Sequence, residues 1–198
     1  MNINMRNYSN NKFVFADSSF YICFIKELGM RSCYNFLDFY HFALGNRVYN
    51  EIKSELDDEI FSKLNLFDFD DIDYYTLFTP CLSNIEKNKH KGEYEIIGLS
   101  LFFSKINRLK YVIIDDKKAK NFAKKNFKSI ASNIMGTIGF IKTVSGDSFI
   151  SNEEAISILN DIIIAIETYD YSDGDFICSL GNNYKEIICP VIESLKRD

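Results

Sequence analysis

A chain of 198 residues, 46% of them hydrophobic, can bury one large core, or one domain with a small appendage. Its net charge of −5 excludes a uniformly basic nucleic-acid-binding surface, and it has no run of about 18 apolar residues to form a membrane-spanning helix. The charge is segregated: acid gathers between Glu51 and Asp73 and base between Lys117 and Lys128, so a local basic patch survives inside an acidic total.

The opening Met1 to Lys12 is polar and Asn-rich and lacks the apolar centre of an export signal. The five cysteines, Cys23, Cys33, Cys81, Cys178 and Cys189, form no C-x-x-C spacing. Both features predict a cytoplasmic chain with free thiols. Phe13-Val14-Phe15-Ala16 is an apolar run without alternation, the pattern of a strand buried on both faces of a parallel sheet. Asp17-Ser18-Ser19 then offers N-cap residues for a helical pattern through Ile22, Phe24, Ile25 and Leu28 to Gly29. A helix is predicted over Cys33 to Leu37, a short strand near Phe39 to Leu44, and a helix from Asn46 with Val48, Ile52 and Glu55 on one side.

The acidic, aromatic stretch from Asp57 to Asn88 predicts a short helix and a loop. Gly92 to Ile106 reads as a helix, with Leu99, Phe102, Phe103 and Ile106 on one face. Tyr111-Val112-Ile113-Ile114 is the second buried-strand signal, followed at once by Asp115-Asp116 and by a basic helix over Lys117 to Lys125. A further strand is predicted at Ser129 to Ser132, then a short helix over Met135 to Thr143. A longer helix follows over Asn152 to Thr168, with Ser151, Asn152 and Glu154 as its cap. A polar turn after Asp170 and a last helix over Tyr184 to Leu195 complete the chain. Strands alternating with helices predict an α/β fold with a parallel sheet.

In such a sheet, ligands bind beyond the carboxyl ends of the strands. Two apolar strands end in acid, one at Asp17 and one at Asp115-Asp116. Neighbouring strands would bring these carboxylates together, and like charges that close repel unless a cation lies between them. The plain alternative for Asp17 is an N-cap. Glu95 precedes Leu99 by four residues and so falls on the apolar stripe of its helix, where a carboxylate is costly unless paired or bound to metal. The alternative is a first-turn acid favoured by the helix dipole. Glu51, three residues after Val48, repeats the pattern, with a solvated flanking Glu as its alternative. Carboxylate oxygens suit Mg²⁺ or Mn²⁺, and such a cation can activate water and stabilise a leaving oxygen. That chemistry needs no histidine, and His41 and His90 read as surface or packing residues.

Five segments resemble PIN domains, in the family's order, between residues 12 and 145. Phe13 to Ser19 resembles the opening strand with its first acid and hydroxyl. Arg47-Val48-Tyr49-Asn50-Glu51-Ile52 resembles the helix carrying the second. Gly92-Glu93-Tyr94-Glu95-Ile96-Ile97 resembles the Gly-Glu-x-Glu-Ala-Ile segment of a VapC-like branch. Tyr111 to Ala119 resembles that branch's strand ending in Asp-Asp before a basic helix, and Gly136-Thr137-Ile138-Gly139 resembles its Gly-Thr-Leu-Gly turn.

The resemblance implies a three-layer α/β/α PIN-like fold with a central parallel sheet over residues 1–145. Residues 146–198 would add a mostly helical extension packed on the same domain. It implies an Mg²⁺- or Mn²⁺-dependent endoribonuclease. On this reading Asp17, Glu95 and Asp116 hold the cations with Asp115 beside them, and Glu51 orients the attacking water or completes a second cation site. Ser18 or Thr137 hydrogen-bonds a carboxylate or phosphate. Lys117, Lys118, Lys120, Lys124 and Lys125 hold the RNA backbone, or else form a solvated helix face. Many members are toxins checked by an antitoxin, and many dimerise.

Three features depart from the pattern. Gly45-Asn46 stands where the family often has a proline, the stretch from Asp57 to Asn88 is long, and so is the tail. Two other readings compete. One is a PIN-like scaffold that binds nucleic acid or protein without cutting. The other is a receiver-like regulator, which also gathers acids around Mg²⁺ but adds a lysine on a later strand.

Overall fold

The computed structural model describes residues 11–29, 31–67, 78, 91–168 and 184–197. The expected loop before Asn88, the turn after Asp170, Cys81, Cys178 and His90 lie outside the described residues, as do the N-terminal ten residues and the side chain of Cys33.

The chain forms a three-layer α/β/α fold around a five-stranded parallel sheet. Its strands are β1 (Phe13–Ala16), β2 (His41–Gly45), β3 (Asn65–Phe67), β4 (Leu109–Ile113) and β5 (Ile134–Met135), in the order β3-β2-β1-β4-β5. Receiver-like sheets run 2-1-3-4-5, so the strand order removes that reading. From central β1 the chain builds outward through β2 to β3, then crosses back to β4 and β5. The order of winding therefore reverses between β1 and β4, the place where open α/β sheets bind their ligands.

β1 is buried along its whole length, as an unbroken apolar run requires. On one face, Phe13 and Phe15 meet Phe103 of α5 (Lys91–Lys105) at ring distances of 5.2 and 5.1 Å, with Phe67 of β3 beside them. On the other, Phe42 of β2 stacks on Phe20 at 5.3 Å, and Phe36 meets Phe140 at 5.4 Å. These rings come from α1 (Ser18–Ile22), α2 (Arg31–Phe39) and α7 (Thr137–Gly146). Edge-on and offset rings fill the space between the layers.

The helical run after Asp17 is α1 followed by a π-helical turn at Cys23–Glu27, and it stops at Gly29, whose φ of +71° suits a residue without Cβ. α3 (Asn46–Ile52) and α6 (Lys117–Asn126) stand where their patterns predict. The stretch after Asp57 holds α4 (Asp58–Lys63) and then the edge strand β3, which no alternation announces because only Phe67 of its three residues is buried. The strand expected at Ser129 to Ser132 is instead β5 at Ile134–Met135, preceded by a 3₁₀ turn at Ala131–Asn133. Val112 of β4 pairs with Ile134, which is buried, as is Ile130 ahead of the 3₁₀ turn.

α8 (Asn152–Thr168) buries Ala155, Leu159, Ile162 and Ile166, and α9 (Tyr184–Leu195) buries Ile188, Ile192 and Leu195. These side chains are continuous with the core under the sheet, so the C-terminal helices belong to the same packed body. Among the described residues no helix is long and apolar enough to cross a membrane.

Candidate functional site

β1 and β4 are hydrogen-bonded neighbours, and the residue after each one's last turn inward is acidic. Asp17 N donates to Ile113 O at 3.0 Å, which continues the ladder one step past β1. The Asp17 side chain then turns over the sheet edge. Its Oδ1 accepts from Phe20 N at 3.1 Å, capping α1, and its Oδ2 accepts from Asp115 N at 2.7 Å. Asp17 is thus a helix cap and a member of the acidic edge at once. It is only 2% exposed. Burial, and next the negative charge of Asp115, hold its carboxyl well above the ordinary aspartate range, against the pull of the two backbone N–H donors. Glu93, half-buried in the first turn of α5, adds further negative charge.

Asp115 is fixed from the β5 side. Its Oδ1 accepts from Thr137 N at 2.9 Å, and its Oδ2 accepts from Thr137 Oγ1 at 2.5 Å. A third donor comes from the far end of the chain: the Tyr184 hydroxyl reaches Oδ1 at 2.6 Å. Burial and the charge of Asp115 raise the Tyr184 phenol far above the usual tyrosine value, so it stays a donor. Gly136 leaves the space this arrangement needs. A Cβ there would stand 2.8 Å from Asp115 Oδ1 and 3.1 Å from Lys120 Nζ. Lys120 therefore extends its half-buried side chain toward the same spot as Asp115.

Asp116, expected to hold the cation with Asp115 beside it, is the N-cap of α6: its Oδ1 accepts from Ala119 N at 2.6 Å, and it does not join Asp17 and Asp115 in a three-acid group. Of the adjacent acids, Asp115 is the one beside Asp17.

Glu95 and Glu51 form a second pair, on the β2 side. Glu95, 6% exposed, uses Oε2 to accept from Arg47 N at 2.9 Å and Val48 N at 3.2 Å, the first turn of α3. Burial pushes its carboxyl up to about 6, with those N–H groups and the Arg47 charge opposing and Glu51 adding repulsion. Gly45 is obligatory for this packing, since a Cβ there would lie 2.5 and 2.6 Å from the Glu95 carboxylate oxygens. Glu51 is exposed, and its carboxylate lies against Gly92 at the start of α5, where a Cβ would be 3.0 Å from both oxygens. α3 and α5 thus present a carboxylate to each other's first turn, where the helix dipoles favour negative charge.

Ser18 follows Asp17 as the first residue of α1 and is half-buried. Lys117, Lys118, Lys124 and Lys125 are exposed along α6, while Ala119 and Ala123 turn to the core. Among the described residues no three His, Cys, Asp or Glu side chains converge closely enough to hold a metal ion by themselves. The Asp17–Asp115 pair, with the Thr137 hydroxyl beside it, is nonetheless an all-oxygen donor set. It fits Mg²⁺ or Mn²⁺, which take one or two carboxylates and keep several waters. Glu93, Tyr184 and the role of the three glycines were not foreseen. Glu93 could have been found as the other acid of the Gly-Glu-x-Glu segment. Nothing in the sequence places Tyr184 over Asp115.

No family model matches the chain, and no curated protein or solved structure matches it.

Proposed function

We propose that the chain is a PIN-like, Mg²⁺- or Mn²⁺-dependent endoribonuclease whose centre is the Asp17–Asp115 pair. The observation that carries the reading is the apposition of two carboxylates, one of them almost fully buried, where the sheet's winding reverses. Apposed acids raise each other's cost of ionisation, and a divalent cation between them removes that cost.

Asp17 and Asp115 would hold the cation, and Glu93 is the nearest further acid. A divalent cation at this position makes water a stronger nucleophile and stabilises a departing oxygen. Thr137 holds Asp115 in place through both its N–H and its hydroxyl. The exposed lysines of α6 begin directly after the acidic edge, so a phosphate backbone lying along them would pass over the pair. Asp116 acts on the site through α6, as its cap. Glu95 and Glu51 act by fixing the start of α3 and α5. The partners that follow from this reading are RNA and, for a toxin, an antitoxin or other regulatory protein, with a homodimer as the expected assembly.

A second reading, a PIN-like module that binds without cutting, is favoured by the lack of a three-acid group among the described residues. Cleavage of short RNA in Mn²⁺ separates the two. Asp17→Asn and Asp115→Asn should each lower cleavage by about a hundredfold or more, while Asp116→Asn retains most of it. Full activity in both of the first two variants refutes this assignment.

A further inference from the structure

Resting on that reading, a further property can be drawn from the contact between α9 and Asp115. A carboxylate oxygen offers two lone-pair sites. Both sites on Asp115 Oδ1 are taken, one by Thr137 N and one by the Tyr184 hydroxyl. The two donors differ in kind. Thr137 N belongs to the junction of β5 and α7 and cannot leave without disturbing the sheet edge. Tyr184 arrives on a helix from a distant part of the chain, 69 residues on.

α9 is held on both sides of its proline: Ile188, Ile192 and Leu195 are buried, Asn152 Nδ2 donates to Leu195 O at 3.1 Å, and Lys142 Nζ reaches Ser194 Oγ at 3.1 Å. Tyr184 stands in the first turn, one turn ahead of buried Ile188. Pro190 has no N–H, so the carbonyl of Glu186 lacks its helical partner and the hydrogen bonding of this turn is weakened.

We propose that Tyr184 is a latch: the phenol, delivered by the first turn of α9, takes the second site on Asp115 Oδ1, and a divalent cation that uses this oxygen must displace it. The C-terminal helix thereby lowers the affinity of the centre for a cation in the same chain, and it lets go of Asp115 in the turn ahead of buried Ile188, which stays docked.

The test compares the full-length wild type with Tyr184→Phe, using Mn²⁺ alone as the probe. Calorimetry gives the affinity, and amide hydrogen exchange of α9 reads the latch without reference to cleavage. Tyr184→Phe should bind Mn²⁺ about tenfold more tightly, the scale of one hydrogen bond to a charged group. In the wild type, Mn²⁺ should speed exchange at the Ile188 amide, whose helical acceptor is the carbonyl of Tyr184, and leave the amides after Pro190 unchanged. Mn²⁺ binding by Tyr184→Phe alone would support the latch in its strongest form. Equal or weaker binding by Tyr184→Phe, with α9 exchange unmoved by Mn²⁺ in the wild type, overturns the latch and leaves the cation reading standing. Absence of Mn²⁺ binding in both chains removes the cation reading, and the latch with it.

Discussion

The two halves of the sheet's carboxyl edge solve different problems with the same residue type. On the β2 side, buried Glu95 faces backbone N–H groups at the start of α3 and is repelled by Glu51. On the β1–β4 side, buried Asp17 faces Asp115 and, further out, Glu93. Both carboxyls are raised by burial, and each half contains a glycine that leaves room for a carboxylate. The difference lies in what stands opposite. Glu95 has exposed Glu51 as its like charge and Arg47 as its opposite one, whereas Asp17 meets Asp115 across the β1–β4 junction, with Lys120 of α6 extending toward Asp115. A buried acid is therefore a weak sign of function until its neighbours are known, and a buried acid facing another acid is a strong one.

The largest effect should come from attacking the capping half. Gly45→Ala would drive a methyl group into the Glu95 carboxylate. The side chain must leave, uncapping α3, and the fold should lose about 3 kcal/mol in denaturant unfolding. A loss under about 0.5 kcal/mol, the level of an ordinary surface change, would show that Glu95 does not hold this helix start.

The acidic half should respond with the opposite sign. In Asp115→Asn the remaining oxygen can still accept from Thr137 N and Tyr184, and the new amide can donate to Thr137 Oγ1. With the charge gone, the cation-free protein should gain about 1 kcal/mol at neutral pH while losing cleavage. Destabilisation by this substitution would mean that the two carboxylates do not oppose each other.

Glu95 also predicts a modest pH effect. Its carboxyl is raised from 4.5 to about 6, so the folded chain holds this proton more tightly than the unfolded one. The stability it contributes is present below about pH 4.5 and is lost as pH rises through about 6, a change of about 2 kcal/mol. Melting temperatures of wild type and Glu95→Gln should diverge across this window, with the wild type falling. Parallel curves would contradict the burial cost assigned to Glu95.

The smallest effect should be at the rim. Lys117→Ala with Lys118→Ala should weaken RNA binding a few-fold and reduce its salt dependence by about one to two charges, without altering stability. An unchanged salt slope would make α6 a solvated face.

How far the molecule can be read from its sequence follows from where each signal lies. β1 and the strand before Asp115 were legible because unbroken apolar runs have few other uses, and α8 because apolar spacing and the Ser151–Glu154 cap mark it. β3 was hidden by its length and by its edge position, which leaves a single buried residue. Within the site, Asp17 was legible as a strand-end acid. The choice between Asp115 and Asp116 was not, because adjacent acids differ only in the direction the backbone gives them. Glu95 lies on the inward face of its helix, as its spacing predicts, whereas Glu51 is exposed. Their opposite partners are helix ends contributed by other segments, and no local pattern encodes that.

The most direct test of the Asp17–Asp115 pairing is the melting temperature of wild type and Asp115→Asn, each with and without millimolar Mn²⁺. A cation seated between the two carboxylates should raise the wild-type value as ligand binding to the folded state requires, and leave Asp115→Asn unmoved. Equal shifts in the two proteins, or none in the wild type, would contradict it.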